Sequence, residues 1–381
     1  MVSFLIPFES ALGETRVSAT PETVKKFLDL NCKVFIEKGA GESAGFFDNS
    51  YAEAGAEIVE RNNVDVKKIV DVVLCVQPPE DNFLSQLKPG SLLVGLLNPY
   101  GNKLLAETLK SKKISAISLE LLPRISRAQS SDALSSQANI AGYKSVLLAA
   151  SALDRYFPML MTAAGTIQPS KVVVLGAGVA GLQAIATAKR LGAVVYVSDI
   201  REAVKEQVES LGARFIELPK IDETPSESGG YAKQVSDDFL IAQRKELAIQ
   251  LSEADVAICT AQVPGKKAPK LIDERMLDDM RSGSVVVDLA VLSGGNCACS
   301  KEGETVTRKG VKIVGASNLP CTVANHASSL YSRNLLSLLQ PMFKEGKFLI
   351  DNDDELIAGS LISKDGVILK SEIIENGGTR S

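Results

Sequence analysis

The sequence predicts an α/β protein of two doubly wound, parallel-sheet domains linked by long helices, with a cleft between them. Three observations carry that expectation. The chain has 381 residues, too many for one ordinary hydrophobic core and enough for two domains of roughly 100–200 residues each. Short β-branched runs alternate with segments of helical period along both halves, the pattern of parallel strands joined by crossover helices. One strand-to-helix junction, at 176–181, is a glycine-rich turn.

Over the first half, strands are predicted at 2–6, 33–37, 72–76, 92–96 and 114–119. Residues 21–30 read as a helix with Thr20 as its N-cap, and 102–110 as a second. This half is Rossmann-like without a glycine fingerprint. Leu134, Val146, Leu147, Ala150, Leu153 and Phe157 recur at three-to-four spacing, which predicts a long helix over 131–157 crossing between domains. Beyond it, strands are predicted at 172–175, 194–198, 214–217, 256–260, 285–288 and 312–314. A helix over 326–339 returns the chain to the first domain, and 361–369 reads as a hairpin turning at Lys364-Asp365-Gly366. The expected domains are therefore 1–130 with 327–381, and 140–326. Residues 218–239 are polar and aperiodic around Gly229-Gly230-Tyr231; a long insertion of this kind in an α/β domain is expected to be a mobile flap over a nucleotide.

Composition removes several function classes. Apolar residues make up 45% and charged residues 23%, ordinary globular values, and a net charge of −4 offers no basic field to a polyanion, so no nucleic-acid partner is expected. No apolar run approaches the ~20 residues of a spanning helix, and 145–167 is broken by Asp154 and Arg155. The start of the sequence lacks a basic n-region before Pro7 and Glu9, which predicts an intracellular protein. Six scattered cysteines predict reduced thiols. Cys297-Ala298-Cys299 has no second pair and His326 is the sole histidine, so no metal site is expected; His326, opening an apolar helix, is expected to be structural.

The strongest chemical signal is the run from Lys171 to Leu175 into Gly176, Gly178 and Gly181, followed by a helix. Strand, turn and helix stand in the order of a dinucleotide fingerprint. Gly176 is expected to make the tight turn, Gly178 to let the backbone approach a pyrophosphate, and Gly181 to let helix and strand pack closely. The helix start offers unpaired N–H groups and a partial positive charge to phosphates. The next strand ends in Asp199, about twenty residues on, where a carboxylate accepts both ribose hydroxyls and repels a 2′-phosphate. NAD(H) is therefore favoured over NADP(H), although Arg201 stands nearby as a possible phosphate partner.

At 123–137, the run carrying Arg124, Gln129, Asp132 and Ser135, the sequence closely resembles the NAD(H)-binding first domain (alpha subunit) of proton-translocating NAD(P) transhydrogenase. The resemblance continues through 161–166, 178–192, 229–233 and 288–296 and covers nearly the whole chain. It implies that Arg124, Asp132 and Ser135 hold the nicotinamide end of NAD(H), while Gln129 reaches NADP(H) on a partner. Arginine supplies planar donors, Asp132 is suited to fixing that arginine, and an amide bridges through one donor and one acceptor. Val179, Asp199, Ile200, Arg201, Gly230, Tyr231, Gln243 and Gln262 match the family's other NAD positions, with Tyr231 on the flap. The resemblance also implies an NADP(H)-binding component, a membrane-spanning proton-channel component and a homodimer. It places the chain at the inner face of a bacterial inner membrane, with a mitochondrial matrix as the lesser alternative.

Alanine dehydrogenase, a related family, is the competing enzyme. Those enzymes use a lysine in a Lys-Glu-Pro setting and a later histidine, and the corresponding stretches here, 75–79 and 95–99, contain neither. Without a general acid such an enzyme loses a factor of about 10²–10⁴. Arg16, near a position used for substrate carboxylate, remains, but it cannot transfer a proton at neutral pH. Hydride transfer between two nicotinamides needs no such group.

Overall fold

The computed structural model describes residues 1–217, 237–263, 265–344 and 347–371, with backbone alone over 237–243. The chain divides into two compact units, Met1–Gln137 with Pro320–Ser381, and Ala138–Leu319. Each unit holds one doubly wound, largely parallel sheet.

In the first unit the strands are β1 (Val2–Ile6), β2 (Cys32–Glu37), β3 (Glu57–Val59), β4 (Val72–Leu74), β5 (Leu92–Gly95) and β6 (Ser115–Ser118). They stand in the order β6-β5-β4-β1-β2-β3, all parallel, so the winding reverses direction between β1 and β4. Helix α1 (Pro21–Asp29) starts where Thr20 accepts from the N–H of Thr23 and Thr23 answers with its own hydroxyl, a reciprocal cap with proline at the first helical position. Helix α2 (Lys103–Lys112) is capped by Asn102, whose Oδ1 accepts from the N–H of Leu105. Helix α3 (Ala133–Ala152) begins in the first unit and ends in the second.

The second unit opens with a separate ribbon, β7 (Leu160–Thr162) and β8 (Gly165–Ile167). Its sheet comprises β9 (Lys171–Leu175), β10 (Val194–Ser198), β11 (Arg214–Phe215), β12 (Val256–Cys259), β13 (Val285–Asp288), β14 (Thr305–Arg308) and β15 (Val311–Gly315), in the order β11-β10-β9-β12-β13-β15-β14. Of these seven, β14 alone runs antiparallel. Helix α4 (Val179–Arg190) follows β9, and α5 (Asp237–Ser252) precedes β12. The chain re-enters the first unit with α6 (Ala324–Leu339), the small ribbon β16 (Phe343–Lys344) and β17 (Lys347–Phe348), α7 (Glu355–Ser360), and the hairpin β18 (Leu361–Lys364) with β19 (Val367–Ile368), which adds antiparallel to β6.

The central strands explain why the sheets were readable. Val172 to Leu175, Val256 to Cys259 and Val285 to Val287 are buried on both faces, and such strands read as unbroken apolar runs. The departures lie at edges and ends. β3 and β14 were not anticipated: β3 has three residues, and β14 alternates exposed with half-buried positions. The strand expected over 214–217 closes after Phe215. The helix expected over 131–157 spans only Ala133–Ala152; Leu153 and Phe157 are buried with the second unit's core from non-helical backbone, so their spacing mimicked another turn. The ribbon β7–β8 occupies a stretch for which no strand was expected.

Candidate functional site

The nucleotide signal in the second unit resolves into three glycines with different physical reasons. At the end of β9 the chain turns through Gly176 at φ +98°, a left-handed value that side chains rarely adopt, and its N–H donates to the Ser198 carbonyl at 2.8 Å. A Cβ on Gly181 would lie 1.9 Å from the Gly176 carbonyl oxygen, so only glycine lets the first turn of α4 rest on the strand. A Cβ on Gly178 would meet nothing within 4 Å. Chain packing therefore gives no reason for a glycine at 178, and the open space lies where helical N–H groups lack partners. Val179, the first residue of α4, is exposed. Thr260, just past β12, donates through Oγ1 to the Gly176 carbonyl at 3.0 Å, tying the turn to the strand across the reversal of winding. A crevice at the carboxyl ends of strands flanking such a reversal is where ligands bind in open α/β sheets.

Asp199 lies at the end of β10 and is buried. Its Oδ2 accepts from the N–H of Ala177 at 2.7 Å and from Arg201 Nη2 at 2.8 Å; its Oδ1 accepts from the N–H of Arg201 at 2.9 Å and Arg201 Nε at 3.0 Å. Both oxygens thus carry two donors each, the ordinary capacity of a carboxylate. Any diol binding there must take the places of the Arg201 side chain. Ile200, between them, is half-buried. Gln262, on the loop after β12, donates through Nε2 to the Leu289 carbonyl at 2.7 Å. Gly230 and Tyr231 lie outside the described residues; Gln243 falls on α5 with its side chain outside them.

Asn296 was noticed in the sequence only as part of a resembling stretch, and the structure supplies its reason. Fully buried, it accepts from the N–H of Ala261 at 3.0 Å and donates to the carbonyls of Ala261 at 2.9 Å and Pro269 at 2.8 Å, which holds the loop that carries Gln262. Asp288, at the end of β13, accepts from the N–H groups of Ala290 and Cys297. Burial pushes the Cys297 thiol up to about 12, and no cluster of metal-ligating side chains occurs among the described residues.

In the first unit, Arg124 and Gln129 are exposed on the turn-rich segment before α3, and Ala128 between them is buried in the core. Asp132 accepts from the N–H of Ser135 at 2.9 Å and from its Oγ at 2.6 Å, so this pair forms the N-cap of α3. From the sequence, Asp132 was expected to fix Arg124; its bonds to Ser135 give it a local task instead. His326 is exposed on the first turn of α6.

Arg16 is buried. Its Nε and Nη2 each donate at 2.7 Å to Glu14, and its Nη1 donates to Gln137 Oε1 at 2.9 Å. Burial alone would raise the Glu14 carboxyl, but the Arg16 bonds outweigh it and hold the group down at about 2. Nearby, at the carboxyl ends of β1 and β4, a cavity of about 220 Å³ is lined in part by Phe8, Glu9, Arg61, Gln77 and Phe83. Burial pushes Glu9 up to about 8, while the N–H groups of Val76 and Gln77 donate to its two oxygens.

Sheet order, glycine turn and terminal carboxylate define a dinucleotide-binding α/β protein of the doubly wound class. Residues 5–141 match the alanine dehydrogenase/PNT N-terminal domain model and 145–371 the C-terminal domain model. The chain belongs to this family, on the branch of the NAD(P) transhydrogenase alpha subunits, with alanine dehydrogenase a more distant relative. It is 45% identical over 380 residues to the first portion of a divided NAD(P) transhydrogenase alpha subunit from Rhodospirillum rubrum, covering 98% of this chain and 99% of that one. The transhydrogenase structure from Sinorhizobium meliloti aligns with a TM-score of 0.84 at 39% identity, over 96% of this chain and 98% of that one. An L-alanine dehydrogenase structure aligns at 0.81 and 26% identity, over 98% and 99%. Among the described residues no helix is long and apolar enough to cross a membrane.

Proposed function

We propose that this chain is the NAD(H)-binding component of a proton-translocating transhydrogenase and passes hydride directly between its NADH and NADP carried by a partner component. The observation that carries this reading is the open space over Gly178 at the start of α4, a place for a pyrophosphate that the chain's own packing does not require. The adenosine ribose displaces the Arg201 side chain and takes two acceptor positions on Asp199, while Ala177 and the Arg201 N–H keep the carboxylate oriented. A 2′-phosphate would meet that carboxylate, which favours NAD(H) here and leaves NADP(H) to the partner. Val179, Ile200, Gly230, Tyr231, Gln243 and Gln262 complete the nucleotide contacts in this reading. The nicotinamides, when bound, supply hydride and acceptor. Arg124, Asp132 and Ser135 hold the reactive ring, and exposed Gln129 meets the partner's nucleotide.

Proton translocation belongs in this reading to a separate membrane-spanning component, with the chain peripheral at the cytoplasmic face of a bacterial inner membrane. A homodimer fits the exposed apolar side chains of Met159, Met161 and Ile167 on and beside the ribbon β7–β8. Sedimentation at micromolar concentration checks this: a dimer mass is expected, and a monomer mass contradicts it.

Alanine-type dehydrogenation is the competing reading, supported by the second structural likeness. It is disfavoured because Arg16 already holds Glu14 and Gln137 in place of a substrate carboxylate. One spectrophotometric experiment separates the two. The chain by itself should bind NADH without turnover, gain transhydrogenation with an NADP(H)-binding partner, and ignore pyruvate and ammonia. Gln129→Ala should lower transfer about tenfold or more while leaving NADH affinity unchanged. Pyruvate-dependent NADH oxidation, or inactivity beside the authentic partner, contradicts the proposal.

A further inference from the structure

We propose that Asn334 is a positioning residue that fixes the main chain of the segment bearing Gln129; the inference rests on the functional reading above. Asn334 lies on α6, far along the chain from that segment, and is 9% exposed. Its Nδ2 donates to the Ser130 carbonyl at 2.8 Å, and its Oδ1 accepts from Ser136 Oγ at 2.7 Å. One amide therefore ties the residue after Gln129 to the first turn of α3, bracketing the Asp132–Ser135 cap between its two bonds. Only an amide offers a donor to a carbonyl and an acceptor to a hydroxyl at the same point. On the other side of Gln129, Ala128 is buried in the core, and Arg127 donates from Nη1 and Nη2 to Asp354 at 2.8 and 2.6 Å. Asp354 is itself the N-cap of α7, accepting from the N–H of Leu356 at 2.9 Å. Gln129 thus stands exposed between two anchored neighbours. The Arg127 pair is solvent-exposed on the arginine side, where ion pairs contribute little, whereas the Asn334 bonds are shielded. The buried amide is the principal anchor, and it presents Gln129 without the entropy cost of ordering a loose loop at each encounter with the partner.

The test compares Asn334→Ala with Asn325→Ala. Asn325 lies on the first turn of the same helix, and its Nδ2 donates to the Ala44 carbonyl at 2.8 Å, away from the Gln129 segment. Limited trypsin digestion, with cuts after Arg124 and Arg127 mapped by mass, should proceed several-fold faster in Asn334→Ala than in Asn325→Ala at a matched distance below each variant's Tm. With the partner component present, Asn334→Ala should lose about tenfold or more in hydride-transfer rate at unchanged NADH affinity, and Asn325→Ala should transfer normally. Ser136→Ala, which removes only one of the two bonds, should fall between. Equal cleavage in the two asparagine variants overturns the anchor whatever the activity shows. A wild-type chain that transfers no hydride beside its partner overturns the functional reading instead, and the digestion still decides the anchor.

Discussion

Gly178→Ala is expected to leave the second unit folded and to weaken NADH binding by about tenfold to a hundredfold, roughly 1.4–2.8 kcal/mol. The new methyl meets no protein atom within 4 Å, and the backbone at φ −75° accepts alanine without strain. Alanine is a poorer N-cap than glycine, so a loss of about 1 kcal/mol and a Tm drop of a few degrees is expected from that source. The affinity loss has a separate origin, because the methyl stands where the pyrophosphate must approach the backbone. Gly181→Ala makes the opposite comparison. Its Cβ would overlap the Gly176 carbonyl at 1.9 Å, so β9 and α4 must move apart, at a cost of about 1–3 kcal/mol or more, and Tm should fall by roughly 5–10 °C together with binding. Thermal melts with and without NADH, joined to titration calorimetry, separate the two. If Gly178→Ala binds NADH as the wild type does, the phosphates lie elsewhere.

Glu14→Gln should destabilise the first unit by about 3–5 kcal/mol at pH 7, because it leaves the Arg16 guanidinium buried without its carboxylate. The pH dependence gives the prediction its signature. Glu14 is held at about 2, below the ordinary carboxylate value of 4.5, so the folded state favours its ionised form. That contribution is fully present above about 4.5 and disappears as pH falls through about 2, where the wild-type group is protonated as well. Urea denaturation across that window should show the gap between wild type and variant closing on the acid side. A gap that is constant with pH would mean that shape, and not charge, makes the pair matter. The same pair bears on function, since an arginine held this firmly by its own chain is a poor anchor for a keto acid.

What the sequence made legible follows from what each residue answers to. Val172 to Leu175 and Val285 to Val287 are buried on both faces, and their identity was dictated by that burial alone. β14 and β11, at sheet edges, are only partly buried, so Thr305–Arg308 and the end of the 214–217 run carried a weak or misleading pattern. The glycine turn was readable because backbone conformation and close approach restrict it to one residue type. Asn296 and Asn334 were not, since each serves a backbone group distant in sequence, 35 residues away for Ala261 and 204 for Ser130. The spacing of Asp132 and Ser135 did contain the signal of a helix cap. It was subordinated to the resemblance, which assigns the same two residues to the nicotinamide end. The Arg201 side chain on Asp199 is of the same kind, a neighbour visible in the sequence whose contact needed the fold.

The most direct measurement follows a deuterium atom. NADH labelled at the transferring C4 position is mixed with this chain and an NADP-loaded partner component, and the products are read by mass spectrometry. Direct transfer predicts that the label is recovered in NADPH and none enters water, because no acid or base of the chain handles it. Label lost to solvent, or delivered to pyruvate in the presence of ammonia with no partner added, would contradict the account.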